Sequence, residues 1–376
     1  MKVAIIGAGI VGSTAAYYLS KEKDMEVTVF DYGLGQATKA AAGIISPWFS
    51  RRRNKAWYKM ARLGADFYPQ MVSDLEEDGF DTSFYKQVGI FLHKKTPEHF
   101  QDLYELAHSR LEESPLIGDL TILSEEDVKA AFPDLQTKGQ MLYASGAARL
   151  DGAALTQTLL QASACPVVRK EVRLKKVANG YDIDNQLFDR VILATGAWLG
   201  KILEPLGYDV DVRPQKGQLL DYQFEDYQTE DLPVFMPEGE LDVIPFIDGK
   251  VSVGASHEND KGFDLTVDET VLNRLESEAR EFFPKVDEAV SKSDRIGIRA
   301  YTSDFSPFYG QVPDLEGVYV ASGLGSSGLT TGPLIARELV SMLKNQEFWL
   351  HSDDYKASNY ICHTVKADKY SENMIK

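Results

Sequence analysis

Apolar residues follow two different rhythms at the start of this chain. Residues 3–6 form a short unbroken apolar run, residues 11–20 place Val11, Ala15, Tyr18 and Leu19 at helical spacing, and residues 26–31 alternate around Val27, Val29 and Phe30. Run, turn, helical period and alternating strand, in that order, predict a βαβ unit. An Ala- and Gly-rich loop follows over 33–47, then a long amphipathic helix over 54–77. Residues 1–10 are broken by Gly7 and Gly9 and lack a small-residue cleavage site. They are therefore read as first strand and turn, with no targeting segment to be removed ahead of them.

From about Phe84 the pattern changes. Short β-like runs at 88–93, 121–123 and 141–143 enclose helical stretches at 97–113 and 124–132, and 150–163 reads as a further helix. Residues 172–184 predict a hairpin turned at Asn179-Gly180, a pair suited to a type I′ turn. Residues 191–194 are a buried strand. Residues 217–222 and 243–253 read as sheet with a turn at Asp248-Gly249, and 267–283 reads as helix. A last strand and helix follow at 317–322 and 327–343, and the tail after Asn345 is polar and weakly patterned. The fold class expected is α/β. A Rossmann-like dinucleotide domain drawn from 1–83, 147–210 and 297–376 is interleaved with a smaller α+β substrate domain, 84–146 and 211–296, built on a mixed or antiparallel sheet.

Composition narrows the function classes. At 376 residues, 44% hydrophobic and 26% charged, the chain is long enough for two lobes. A net charge of −17 argues against a nucleic-acid partner, since phosphate binding needs a basic surface. Arg51, Arg52 and Arg53 are a local exception, either a solvated loop or a basic lip that draws an anionic substrate toward a cleft. No apolar run approaches the length of a membrane span. Cys165 and Cys362 lie far apart and the six histidines show no paired spacing, so no metal site is expected and a reduced, cytoplasmic setting is.

The sharpest motif is Gly7-Ala8-Gly9-Ile10-Val11-Gly12, a GxGxxG placed between the first strand and the first helix. Gly7 permits the turn, Gly9 lets backbone approach a pyrophosphate, and Gly12 lets helix and strand pack closely. Ile10 and Val11 open the helix whose N–H groups and dipole favour phosphate. Asp31 ends the second strand, where a ribose hydroxyl partner belongs, with Tyr32 beside it. This much does not separate NAD from FAD. Two further segments favour FAD: Ala194-Thr195-Gly196-Ala197-Trp198 after a buried strand, and Gly323-Leu324-Gly325-Ser326-Ser327-Gly328 opening the last helix. A second glycine-opened helix, continuing through Leu329 and Thr330, can aim its dipole at an anionic flavin ring.

With GAGIVG at 7–12, ATKAAAGII at 37–45, ATGAW at 194–198, KGQ at 216–218, GAS at 254–256, GIR at 297–299 and GLGSSGLTTGP at 323–333, the chain resembles the D-amino-acid oxidase-like flavoproteins over nearly its whole length. The resemblance implies FAD, with Thr38, Ala40, Ala41, Gly43 and Ile44 lining the flavin, the Val172 backbone on the adenine, and Gly328, Leu329 and Thr330 at the pyrimidine end of the ring. It implies that Arg299 holds a substrate carboxylate, a task to which a planar guanidinium is suited.

Three features depart from the family pattern. Ala300 stands where the family has proline. Asp242 stands where glycine oxidase-like members place a carboxylate-binding tyrosine; it is either a loop charge or a group that repels carboxylate and attracts ammonium. Sarcosine oxidase-like members attach flavin through a cysteine close to the Arg299 segment, and neither Cys165 nor Cys362 is near it, so the resemblance implies non-covalent FAD. His257 is either a pocket or a surface residue, and Trp48 either a pocket wall or core.

The reaction implied is hydride transfer from the α-carbon of a small amino acid or amine to flavin N5, giving an imine that hydrolyses, with electrons passing on to O2 or a quinone. Oxidation of a hydroxy acid, modification of an RNA aminomethyl group, and flavin binding without catalysis are the alternatives. A homo-oligomer is left open.

Overall fold

The computed structural model describes residues 1–364. Two large sheets organise it. The first has six strands in the order Phe308–Gln311, Val318–Ser322, Arg190–Leu193, Lys2–Ile6, Glu26–Phe30, Val167–Val168. All pairs are parallel except the edge pair of Phe308–Gln311 with Val318–Ser322. Lys2–Ile6 lies near the middle, and helix Ile10–Ser20 returns the chain to Glu26–Phe30 alongside it, as the apolar rhythm predicts. The central strands Lys2–Ile6 and Arg190–Leu193, buried on both faces, are apolar runs rather than alternating ones.

The second sheet has eight strands, ordered Ser291–Tyr301, Arg213–Gln223, Lys250–Gly254, Asp242–Pro245, Val234–Met236, Ile90–Leu92, Met141–Ala144, Leu120–Leu123. One parallel pair, Val234–Met236 with Ile90–Leu92, makes an otherwise antiparallel sheet mixed. Helix Glu269–Phe282 packs Leu272, Leu275 and Ala279 over it.

Ser291–Tyr301 joins the two halves of the molecule. It pairs along its full length with Arg213–Gln223, so the boundary drawn at 297 cuts a continuous strand. Its last residues also touch the dinucleotide lobe: Ile298 N donates to Gly35 O at 2.9 Å. A Cβ on Gly297 would lie 2.8 Å from Ala40 Cβ, so only glycine lets helix Ala37–Ala40 settle there.

Two turns differ from expectation. The predicted Asn179-Gly180 hairpin closes one residue earlier: Val177 pairs with Gly180, which makes Ala178-Asn179 the loop. The turn with both central residues at positive φ falls one hairpin later, at Asp184 (φ 54°) and Asn185 (φ 62°), where Ile183 pairs with Gln186. The first part of the weakly patterned tail is held by buried Glu338, whose carboxylate accepts from the backbone N of Trp349 and of Leu350, each at 3.1 Å; residues 365–376 of the tail lie outside the described residues.

Helix Lys55–Glu77 crosses the start of helix Gly328–Lys344. Tyr68 Oη donates to Leu329 O at 2.5 Å, and at Gly64 an added Cβ would stand 2.2 Å from Thr330 O. Gly64→Ala gains helix propensity of about 1 kcal/mol but forces the two helices apart, and overpacking of this kind typically costs about 1–3 kcal/mol. A lower denaturation midpoint is expected. An unchanged or higher midpoint would show that the crossing relaxes freely.

Candidate active site

A cavity of about 830 Å³ lies between the two sheets. Every residue assigned to the site from sequence lines it, except Gly12 and Trp48. Gly12 acts one layer behind: a Cβ there would sit 1.8 Å from Gly7 O, so it sets the helix-to-strand approach. Trp48 corrects the pocket-wall reading. It is fully buried in the main core, and its neighbours Pro47 and Phe49 face the cavity instead.

The dinucleotide end is built from backbone. Gly7 has φ +101°, and a Cβ on it would lie 2.3 Å from Ala194 O. Helix Ile10–Ser20 has Gly9 as its N-cap and no side-chain cap; Thr38 Oγ1 accepts from Ile10 N at 3.0 Å. Asp31 accepts from Ala8 N, from Gln36 Nε2 and, at 3.0 Å, from Arg169 Nη1. Tyr32 is exposed at the rim, and Val172 lines the wall with Lys170 and Glu171. Helix Gly328–Lys344 opens at the same cavity, again without a side-chain cap, so two helix N-termini converge on it. Buried Thr195 Oγ1 and Gln36 Oε1, both in lining residues, have no hydrogen-bond partner. Unsatisfied buried polar atoms, backbone cradles that a Cβ would fill and two positive helix ends form a lining that suits a phosphate-bearing flavin dinucleotide.

The mixed sheet supplies the opposite wall: Gly217, Met236, Glu240, Asp242, Ala255, His257 and 297–300. Arg299 Nη1 donates to Ser256 O at 2.8 Å and to Gln215 Oε1 at 3.2 Å. Its Nε and Nη2 make no hydrogen bond with any described residue, which leaves one side-on edge for an anion. The guanidinium lies flat on the backbone of Gly217, where a Cβ would meet Nη1, Cζ and Nη2 at 2.6–2.8 Å. Burial pulls its pKa down, against Tyr301, Glu240 and Glu258; a guanidinium nevertheless stays charged.

His257 lines the cavity, with Nδ1 3.6 Å from Glu240 Oε1. Burial and then Arg299 push its pKa down while Glu240 opposes them, so it is neutral at pH 7. Burial pushes the Asp242 carboxyl up to about 8.

The motifs KGQ and GAS brace this wall. Buried Lys216 donates to Thr266 O and to Asp264 (3.3 Å), Gln218 Nε2 to Glu258 Oε1 at 2.8 Å, and Ser256 Oγ to Glu258 Oε1 at 2.6 Å. They hold the 257–268 segment, whose Phe263 packs 5.2 Å from Trp198. Arg295 ties the sheet to the flavin-side loop through Lys39 O (3.2 Å) and Ala41 O (3.0 Å). Sequence reasoning missed Trp57, Phe49, Glu240, Lys201 and Phe263 as lining residues. Trp57, whose Nε1 donates to Ser327 Oγ at 3.3 Å, sits in a helix where an apolar period does not distinguish core from cavity wall.

No group of three or more metal-ligating side chains occurs among the described residues, and none of their helices is long and apolar enough to cross a membrane.

A doubly wound sheet with two glycine-opened helices on one cavity, faced by a buried arginine on a mixed sheet, defines a flavin-dependent oxidoreductase. The chain matches the FAD dependent oxidoreductase (DAO) family over residues 2–342 and belongs to that family; its cofactor is FAD. It is 38% identical to the uncharacterized oxidoreductase YurR of Bacillus subtilis, covering 93% of this chain and 97% of that one. It is 27% identical to glycine oxidase of Pseudomonas aeruginosa, covering 92% and 95%. Among solved structures, iminodiacetate oxidase from Chelativorans sp. BNC1 superposes with a TM-score of 0.90 at 28% identity, covering 94% and 98%.

Gly217→Ala tests how Arg299 is held. The added methyl must displace the guanidinium, so affinity for a simple carboxylate such as acetate, followed through the absorption spectrum of bound FAD, is expected to fall at least roughly tenfold while FAD stays bound. Unchanged acetate affinity would mean that Arg299 is not where the anion binds.

Proposed function

We propose that this enzyme oxidises the C–N bond of a small amino acid (glycine, N-methylglycine or a D-amino acid), giving an imine that hydrolyses. The observation that carries the reading is the free Nε–Nη2 edge of a buried, braced Arg299 facing the cavity that takes the flavin. When bound, FAD supplies the hydride acceptor. The chain's own residues do the rest. Arg299 holds the carboxylate, the sheet wall and Phe263 limit water, and the braced 257–268 segment fixes orientation, so positioning rather than acid–base machinery lowers most of the barrier. Two relatives whose names give glycine and iminodiacetate as substrates support an N-substituted or unsubstituted glycine-type substrate.

The remaining assignments follow from the same reading. Thr38, Ala40, Ala41, Gly43, Ile44, Gly325, Ser327, Leu329 and Thr330 hold the flavin, and Asp31 the ribose. Cys165 is half-buried and Cys362 exposed, and neither lines the cavity, in keeping with non-covalent FAD. The enzyme works in the cytoplasm, with O2 or a quinone as electron acceptor.

Anaerobic titration of the yellow holoprotein with glycine, N-methylglycine, iminodiacetate and D- and L-amino acids is expected to bleach the visible flavin band with at least one of them, and denaturation to release FAD into the supernatant. Bleaching by hydroxy acids alone would contradict the amino-acid reading, and colour in the pellet would contradict non-covalent FAD.

A further inference from the structure

Asp242 begins strand Asp242–Pro245, in register with Gly254, and lines the cavity on the same wall as Arg299. Its carboxylate makes no hydrogen bond or ion pair with any described residue. Two other acids on this cavity show the contrast: Asp31 has three donors, and Glu240 lies 3.9 Å from Arg274, while Glu171 is exposed. A sheltered, unpaired carboxylate is costly unless something is there to meet it. Other charged and titratable groups line the same cavity from several elements. Glu240 precedes the strand, His257 follows Lys250–Gly254, Arg299 lies on Ser291–Tyr301, and Lys201 comes from helix Leu199–Leu203; Met236 on the remaining neighbour is uncharged. None of them is an ion-pair partner of Asp242, and shelter from water is what raises its proton affinity to about 8.

An amino acid arrives as a zwitterion. Arg299 answers the carboxylate, but the nitrogen must lose a proton before its lone pair can form C=N. We propose that Asp242 is the base that takes the ammonium proton of a substrate whose carboxylate lies on Arg299, an assignment that rests on the amino-acid reading above. The step balances. One N–H bond breaks and an Asp242 O–H bond forms. The Cα–H bond then breaks with both electrons leaving as hydride for the flavin, the nitrogen lone pair closes C=N, and the Asp242 proton passes to solvent. Transfer turns an ion pair into two neutral groups, which a dry wall accommodates better. A base with raised pKa is also better matched to an ammonium than an ordinary carboxylate.

Two measurements test this. In anaerobic flavin reduction by an amino acid, the second-order rate constant of the wild type should rise roughly tenfold per pH unit up to about pH 8, then level off, then fall as the substrate ammonium is lost. In Asp242→Asn the rising limb should move to the ammonium pKa of the substrate used, the high-pH fall should vanish, and the deficit should be greatest at and below pH 8. Identical limbs in both proteins would overturn the assignment. The second measurement needs neither turnover nor the variant. Acetate binding to the wild-type holoenzyme, read from the flavin spectrum, should weaken as pH rises through about 8, because a charged Asp242 then faces the bound carboxylate. If no amino acid reduces the wild type, the reaction reading falls and the base falls with it. A pH-independent acetate affinity in an enzyme that amino acids do reduce would remove Asp242 alone.

Discussion

The molecule turns on the close contact between strand Ser291–Tyr301 and the flavin-side loop. Side chains at every second position share one face of a strand, and Arg295, Gly297 and Arg299 each act there. Arg295 bonds the carbonyls of Lys39 and Ala41. Gly297 leaves room for helix Ala37–Ala40, where a methyl would come within 2.8 Å of Ala40. Arg299 reaches the cavity and rests on Gly217. The dinucleotide lobe and the wall facing it are thus registered by one strand, and the free edge of Arg299 inherits that register. A slip of one residue in register would turn all three side chains to the other face.

Burial of Arg299 makes the substrate end selective. Its only hydrogen bonds to described residues go to neutral oxygens, Gln215 Oε1 and Ser256 O, so its charge is left for a ligand to balance. A buried cation so placed favours a small anion far more than a surface arginine would. At the other end the cavity is polar in a different way, with backbone N–H groups and helix dipoles that suit phosphate. Asp242, on the same wall as Arg299, adds a carboxyl that burial holds protonated up to about pH 8.

How much of this was legible in the sequence depends on how local each signal was. Glycines at 7, 9 and 12 announce themselves through their close spacing, and Gly7, Gly9 and the last helix opening all reach the cavity as that spacing implies. Trp48 and Trp57 were not separable by pattern, because an apolar aromatic at a helix or loop looks alike whether it faces core or ligand; the chain buries the first and turns the second to the cavity. Asn179-Gly180 suggested a turn of the right kind in the wrong place, since the true type I′ loop uses Asp184-Asn185, two residues that tolerate the left-handed region without glycine. The bracing by Lys216, Gln218 and Glu258 joins segments some forty residues apart, which no period along the chain reveals.

The most direct test of the account compares a reducing amino acid with its decarboxylated amine in wild type, Arg299→Ala and Arg299→Lys, by anaerobic flavin reduction. Loss of a bidentate charged pair should cost Arg299→Ala about 3–5 kcal/mol, on the order of a hundred- to a thousandfold in the second-order rate constant for the amino acid. Arg299→Lys should recover part of that because it keeps the charge without the fork, and the amine should be nearly indifferent to both changes. Equal losses for amino acid and amine would show that Arg299 supports the fold or the flavin instead, and would contradict its role as the carboxylate clamp.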